Sequence, residues 1–151
     1  MGLDMYLYAE RYVSGYEWQD RDEKDTYRAI VDALGVEPTP STPGIGVNFT
    51  AVYWRKANAI HNWFVNECQD GIDDCREVYV SRDSLKKLVD LCQEVIDTGD
   101  TSLLPSIQGF FFGSTEYDEW YFDDLKRTIE DVNSALERFD DRYSFSYQSS
   151  W

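Results

Sequence analysis

Apolar residues along this chain recur at intervals that define its secondary structure. Leu3, Met5 and Leu7 alternate with Asp4, Tyr6 and Tyr8, the period-two signature of a strand over 3–8 with one buried face. After a charged stretch from Asp20, Tyr27, Ile30, Val31 and Leu34 share one side of a predicted helix that Gly35 stops. Residues 47–53 read as a second strand running into the block YWRKANAIHNWFV at 53–65. There Ala57, Ile60, Phe64 and Cys68 are three and four apart, predicting a helix buried on that face.

The second half is patterned more cleanly. A short strand is expected at 78–80. A helix follows, capped by Ser81 or Asp83, carrying Leu85, Leu88, Val89, Cys92, Val95 and Ile96, and closed by Gly99. The triple-Phe run at 110–112 lies between Gly109 and Gly113. Ser114 or Thr115 then caps a long helix whose stripe is Phe122, Leu125, Ile129, Val132, Leu136 and Phe139. Alternation of Tyr143, Phe145 and Tyr147 predicts a last strand over 143–148. Strands at both ends with helices between them define an α+β fold. The expectation is one small, largely antiparallel sheet (strands near 3–8, 47–53, 78–80 and 143–148) packed by three or four amphipathic helices. The segment 36–46 contains Pro38, Pro40 and Pro43, and reads as an irregular connection inside a single globular domain of 1–151.

Composition narrows the function. Lys and Arg number 14 against 29 Asp and Glu, a net charge of −15, which argues against direct contact with nucleic acid phosphates. Apolar residues at 42% supply a core, so intrinsic disorder is not expected. No apolar run reaches the ~20 residues that cross a bilayer, and MGLDMYLYAE lacks the basic start of a secretory signal. The expected setting is the cytoplasm. Cys68, Cys75 and Cys92 form no CxxC pair and have one histidine to help them, so neither a disulfide framework nor a zinc site is expected, and no cofactor is implied.

Candidate chemistry concentrates in two blocks. In the first, Arg55 and Lys56 stand out in an acidic chain, and Asn58, His61, Asn62 and Val65 lie on a helix face distinct from Ala57, Ile60 and Phe64. An Arg fork and a Lys hold phosphate or carboxylate, and Trp54 or Trp63 can stack a planar ring. The competing reading makes both tryptophans core and both cations surface partners of acids. His61 lacks a nucleophile or orienting acid that the sequence can name. In the second block, GFFFGSTEYDEWY, the backbone at 113–115 can face an anion, but Glu116, Asp118 and Glu119 already place negative charge there. Glu116, Glu119 and Asp123 share a helix face, an arrangement that serves acid–base or metal chemistry and is far commoner on a solvated surface. Asp70, Asp73 and Asp74 lack the spacing of a calcium loop.

Four segments, MGLDMYL at 1–7, YWRKANAIHNWFV at 53–65, GFFFGSTEYDEWYFDDL at 109–125 and YQSSW at 147–151, together resemble a family of small uncharacterised phage, prophage and bacterial proteins. DDCREVYVSRDSL at 73–85 agrees, whereas 14–46 does not. The resemblance carries no established activity. It implies that the polar residues of the two blocks, Arg55, Lys56, Asn58, His61 and Asn62 with Ser114, Thr115, Tyr117, Asp118 and Glu119, converge across one cleft. It also implies that the terminal YQSSW returns to the sheet beside strand 3–8, and that the protein acts in host takeover or counter-defence.

Three function classes follow. The first is a binding protein that takes a small polar or nucleotide-type ligand through Trp54, Arg55, Lys56, Asn58, His61, Asn62, Ser114, Thr115, Tyr117 and Glu119. The second is an acidic nucleic-acid mimic that blocks a basic host protein. The third is a small enzyme using His61 with Glu116, Glu119 and Asp123. A homodimer fits any of them, since chains of this size often build sites between subunits.

Overall fold

The computed structural model describes residues 2–37, 39–41, 43–109 and 112–151. The expected triple-Phe run therefore lies outside the described residues except for Phe112, and so does Pro38 of the proline-rich connection. The fold is α+β: four helices and one antiparallel four-stranded sheet of order β2-β1-β4-β3. The strands are β1 (Asp4–Ser14), β2 (Gly44–Arg55), β3 (Val78–Val80) and β4 (Ser144–Ser150). The helices are α1 (Arg21–Leu34), α2 (Asn58–Cys68), α3 (Arg82–Thr98) and α4 (Glu119–Arg138).

The chain divides into two compact units, Met1–Ala9 with Thr50–Trp151, and Glu10–Phe49. In the larger unit the alternation of β1 buries Met5, Leu7 and Ala9 together with Val52 and Trp54 of β2, Val80 of β3, and Phe145 and Tyr147 of β4. Leu85, Leu88, Cys92 and Val95 of α3 and Leu125, Val132 and Ala135 of α4 complete this core. The register Val78↔Tyr147, Tyr79↔Ser146, Val80↔Phe145 leaves Tyr79 exposed on the opposite face. As the terminal pattern predicts, β4 lies beside β1, and Trp151 donates from Nε1 to Asp73 at 3.2 Å.

The smaller unit has its own core of Val13, Tyr27 and Val31, with Ile30, Ile45 and Val47 packed on it. Asp20 caps α1 by accepting from the Glu23 backbone N–H. The Glu23 carboxylate in turn accepts from the Ser14 backbone N–H at 2.9 Å and pairs with Arg11, which fixes the first turn of α1 against the end of β1.

Several expected boundaries move. Strand β2 starts at Gly44 and runs through Arg55, so the glycine-rich end of the proposed connection and the start of the 53–65 block are extended chain. The apolar spacing in that block fits a helix, but Val52 and Trp54 already alternate inward with exposed Tyr53 and Arg55, and the sheet takes them. Helix α2 begins only at Asn58. It is buried nearly all round, so Asn58, His61 and Val65 do not form a solvent-facing side. Asp118 rather than Ser114 or Thr115 caps α4, accepting from the Tyr121 backbone N–H. Ser114 instead turns back to accept from the Glu116 backbone N–H at 3.1 Å.

Candidate functional site

The link between β2 and α2 spends two residues on an unusual turn. Lys56 has φ = 58°, a left-handed conformation that costs a side-chain-bearing residue about 1–2 kcal/mol. Its N–H donates to the Leu3 carbonyl at 2.8 Å, and its own carbonyl accepts from the Asn58 N–H at 2.9 Å. The side chain then runs between two glycines. A Cβ on Gly2 would meet Lys56 Cε at 3.2 Å, and a Cβ on Gly113 would meet Lys56 Cβ at 3.2 Å. Gly113, at φ = 86°, is therefore required both for its backbone and for its lack of bulk. Strain of this kind persists only where the surrounding contacts over-determine the conformation, as the Leu3 and Asn58 bonds and the two glycines do here.

Helix α2 fastens the loop that faces Lys56. The buried Asn58 amide donates to the carbonyl of Ser114 at 2.6 Å and to that of Phe112 at 3.5 Å, and Asn62 donates to Pro105 at 3.0 Å. On the far side Tyr121 donates from its hydroxyl to the Leu104 carbonyl at 2.8 Å, and burial raises that phenol above its ordinary range. Tyr117 packs edge-on against Tyr121 at 5.0 Å and accepts from the Ser106 backbone N–H.

These elements enclose a cavity of about 380 Å³ within the larger unit. Arg55, Lys56 and Asn58 line it from the β2–α2 junction, Ser114 and Glu116 from the loop, and Asp118, Trp120, Asp124 and Arg127 from α4. The volume lies in the range of small-molecule sites. Three cations face three carboxylates, and the indole of Trp120, 77% exposed, stands at the site with no core to cover it. Burial pushes the Asp124 carboxyl up to about 6; Asp123 and Asp118 add to the effect and Arg127 opposes it. Among the described residues Lys56 and Arg127 have no carboxylate within ion-pair distance, whereas Arg55 reaches Asp4 at 4.0 Å.

The two sequence blocks thus meet across one cleft, though with a different membership. Arg55, Lys56, Asn58 and Ser114 line it. Trp54 does not: it is buried in the core, donates to the Thr128 hydroxyl at 2.9 Å and packs edge-on against Phe64. Asn62 and Tyr117 hold the loop from outside the cavity. Thr115 borders a separate shallow depression with Gln108, Gly109 and Gly113, and Glu119 is exposed at the start of α4. Trp120, Asp124 and Arg127 were not singled out from sequence. Their spacing along α4, four and three residues, placed them together, but nothing in the pattern aimed that face at a cleft.

His61 belongs to a different arrangement. It is 1% exposed, with Nε2 at 2.9 Å from the Asp73 carboxylate and Nδ1 at 2.7 Å from the Tyr147 hydroxyl. A neutral ring protonated on Nε2 satisfies both, donating to Asp73 and accepting from Tyr147. Asp73 is the orienting acid that the sequence could not name. Burial and the charge of Asp73 raise the Tyr147 phenol well above its ordinary range, and Phe64 stacks on that ring at 4.0 Å. Phe112 closes over the imidazole edge-on at 5.0 Å. The pairing of His61 with Glu116, Glu119 and Asp123 is not formed, because both ring nitrogens are engaged elsewhere and Asp123 pairs with Lys126 at 3.1 Å. The His61 network ties α2, the 70s loop and β4 together inside the core.

Among the described residues no three His, Cys, Asp or Glu side chains gather as metal ligands, and no helix is long and apolar enough to cross a membrane. No family model, curated protein or solved structure matches this chain.

Proposed function

We propose that the chain is a binding protein that captures a small polar, nucleotide-type ligand in the cavity at the β2–α2 junction. The supporting observation is the convergence of Arg55, Lys56 and Arg127 on a small-molecule-sized cavity that also holds the exposed ring of Trp120. In this reading the cations take the phosphate, with Lys56 held in place by its glycine slot and Arg127 outside ion-pair distance of any carboxylate among the described residues. Trp120 stacks the base, replacing Trp54 in the role suggested by sequence. Asp118 and Asp124 accept from ring N–H groups, and Ser114 and Glu116 border the sugar. The resemblance to phage-borne proteins extends the reading to the cytoplasm of an infected cell, where sequestering a nucleotide signal counters host defence.

The test is a thermal-shift screen against mono-, di- and cyclic nucleotides. A ligand at a hundred times its Kd adds about 2.7 kcal/mol, a shift of several degrees for a protein of this size. The expected result is a shift that Trp120→Ala and Arg127→Ala each abolish while Trp54→Phe retains it. No shift across the panel overturns the reading.

A second reading draws on the charge of −15, which suits an acidic decoy for a basic host protein. It predicts a salt-sensitive complex that is indifferent to Trp120→Ala.

A further inference from the structure

The smaller unit holds a cavity of its own, about 730 Å³, lined by the turn after β1, by α1 and by Thr39, Pro40 and Pro43. Its construction is specific. The Gly15 N–H donates to the Pro43 carbonyl at 2.7 Å, drawing the two loops together. Gly15 also leaves room for a neighbour: a Cβ there would lie 2.6 Å from Tyr27 Cε1, so the Tyr27 ring rests on bare backbone. Tyr27 and Val31 are held in the small core, and this fixes the rotation of α1. With that rotation set, Lys24, Arg28 and Asp32, one turn apart, all line the cavity.

Opposite α1 the rings of Tyr16 and Trp18 stack at 4.1 Å with 15° between their planes. Trp18 is nevertheless 75% exposed. A large indole stacked on one side and open on the other is a platform for a further planar ring. The charges in the same cavity are of both signs. Arg28 and Lys24 are the cations, and Glu17 and Asp32 are the acids. Arg28 has no carboxylate partner among the described residues, and Lys24 reaches only the Glu17 backbone carbonyl at 3.4 Å. A polyanion would meet Glu17 and Asp32, and a simple cation would meet Arg28 and Lys24. A molecule that carries one charge of each sign beside a ring matches the mixed charges and the indole of this lining.

We infer that this cavity is a second binding site, for an aromatic zwitterion of the amino-acid type, with its ring on Trp18, its carboxylate at Arg28 and Lys24, and its ammonium at Glu17 and Asp32. The site is independent of the nucleotide reading of the larger unit, since it shares no residue with that cavity.

The experiment is a titration of the full chain with L-phenylalanine, followed by backbone amide shifts in a heteronuclear NMR spectrum. The expected result is saturable perturbation confined to residues 14–43. 3-Phenylpropionate, phenethylamine and glycine, which lack the ammonium, the carboxylate and the ring in turn, should each bind at least tenfold more weakly. Trp18→Ala and Arg28→Ala should each weaken L-phenylalanine at least tenfold, with Trp18→Phe restoring it and Trp120→Ala without effect. Unchanged thermal midpoints in the exposed-residue variants separate lost binding from lost folding. Absence of perturbation in 14–43 overturns the site, and equal binding of 3-phenylpropionate overturns the zwitterion.

Discussion

The side-chain amide of Asn58 donates to the backbone carbonyl of Ser114 at 2.6 Å, across 56 residues of chain. That one bond joins the first turn of α2 to the loop that forms the opposite wall of the larger unit's cavity. Asn58→Ala leaves the carbonyls of Ser114 and Phe112 without this donor. The cost should be about 1–3 kcal/mol of stability, with faster amide exchange at 112–117. Urea titration and hydrogen exchange check both halves of the expectation.

At Lys56 the cost of a left-handed backbone stands against the proposed ligand contact. Lys56→Gly relaxes the left-handed backbone at φ = 58° and should offset the flexibility it adds to the unfolded chain, leaving the fold as stable or up to about 1 kcal/mol more so. The same change removes the ammonium from the cavity, so nucleotide binding should fall at least tenfold. Gly113→Ala acts in the opposite direction: it forces a Cβ against Lys56 at a φ of 86° and lowers stability as well as binding. Paired melting and binding curves distinguish the two.

Asp124 gives a pH dependence with a definite sign. Its folded carboxyl titrates at about 6, above the ordinary 3.8, because burial disfavours the charged form. Below about pH 4 the group is neutral in both states and contributes no penalty. As pH rises toward 6 the unfolded chain releases this proton first, so folding loses stability, and above 6 the loss is complete. Asp124→Asn should therefore match the parent protein near pH 4 and exceed it by about 1 kcal/mol at pH 8, after allowance for the partly open surroundings of the group. Melts at the two pH values decide it.

Thr128→Val tests the placement of Trp54. It leaves the buried indole N–H without its acceptor and should cost about 1–3 kcal/mol while nucleotide binding is unchanged. A loss of binding at constant stability would return Trp54 to the site.

Much of the architecture is legible in the residues themselves. Helix α3 reads directly, since Leu85, Leu88, Cys92 and Val95 are uninterrupted and Ser81 and Gly99 mark both ends. The β2–α2 junction does not, because Val52 and Trp54 satisfy strand alternation while Ala57, Ile60 and Phe64 satisfy helical spacing. Where two periods meet, only the turn at Lys56 decides, and a left-handed lysine carries no sequence signal. For the same reason the two blocks could be expected to share a cleft, but Trp54 and Trp120 could not be told apart. One faces the sheet's core and the other faces solvent, and for Trp54 that difference includes a partner, Thr128, 74 residues away. The His61 network was hidden likewise, since Asp73 and Tyr147 come from separate parts of the chain.

The place of β4 in the sheet has a bearing on how the protein is made. It lies between β1 and β3, which have no other link to each other in the sheet. A nascent chain can form α3 and α4 early from local contacts, yet the larger unit has only an incomplete sheet until Ser144–Ser150 leaves the ribosome. Tyr147, the hydrogen-bond partner of His61 and the ring stacked on Phe64, arrives with that strand. Completion of the four-stranded sheet and formation of the His61–Tyr147 hydrogen bond therefore depend on the same strand.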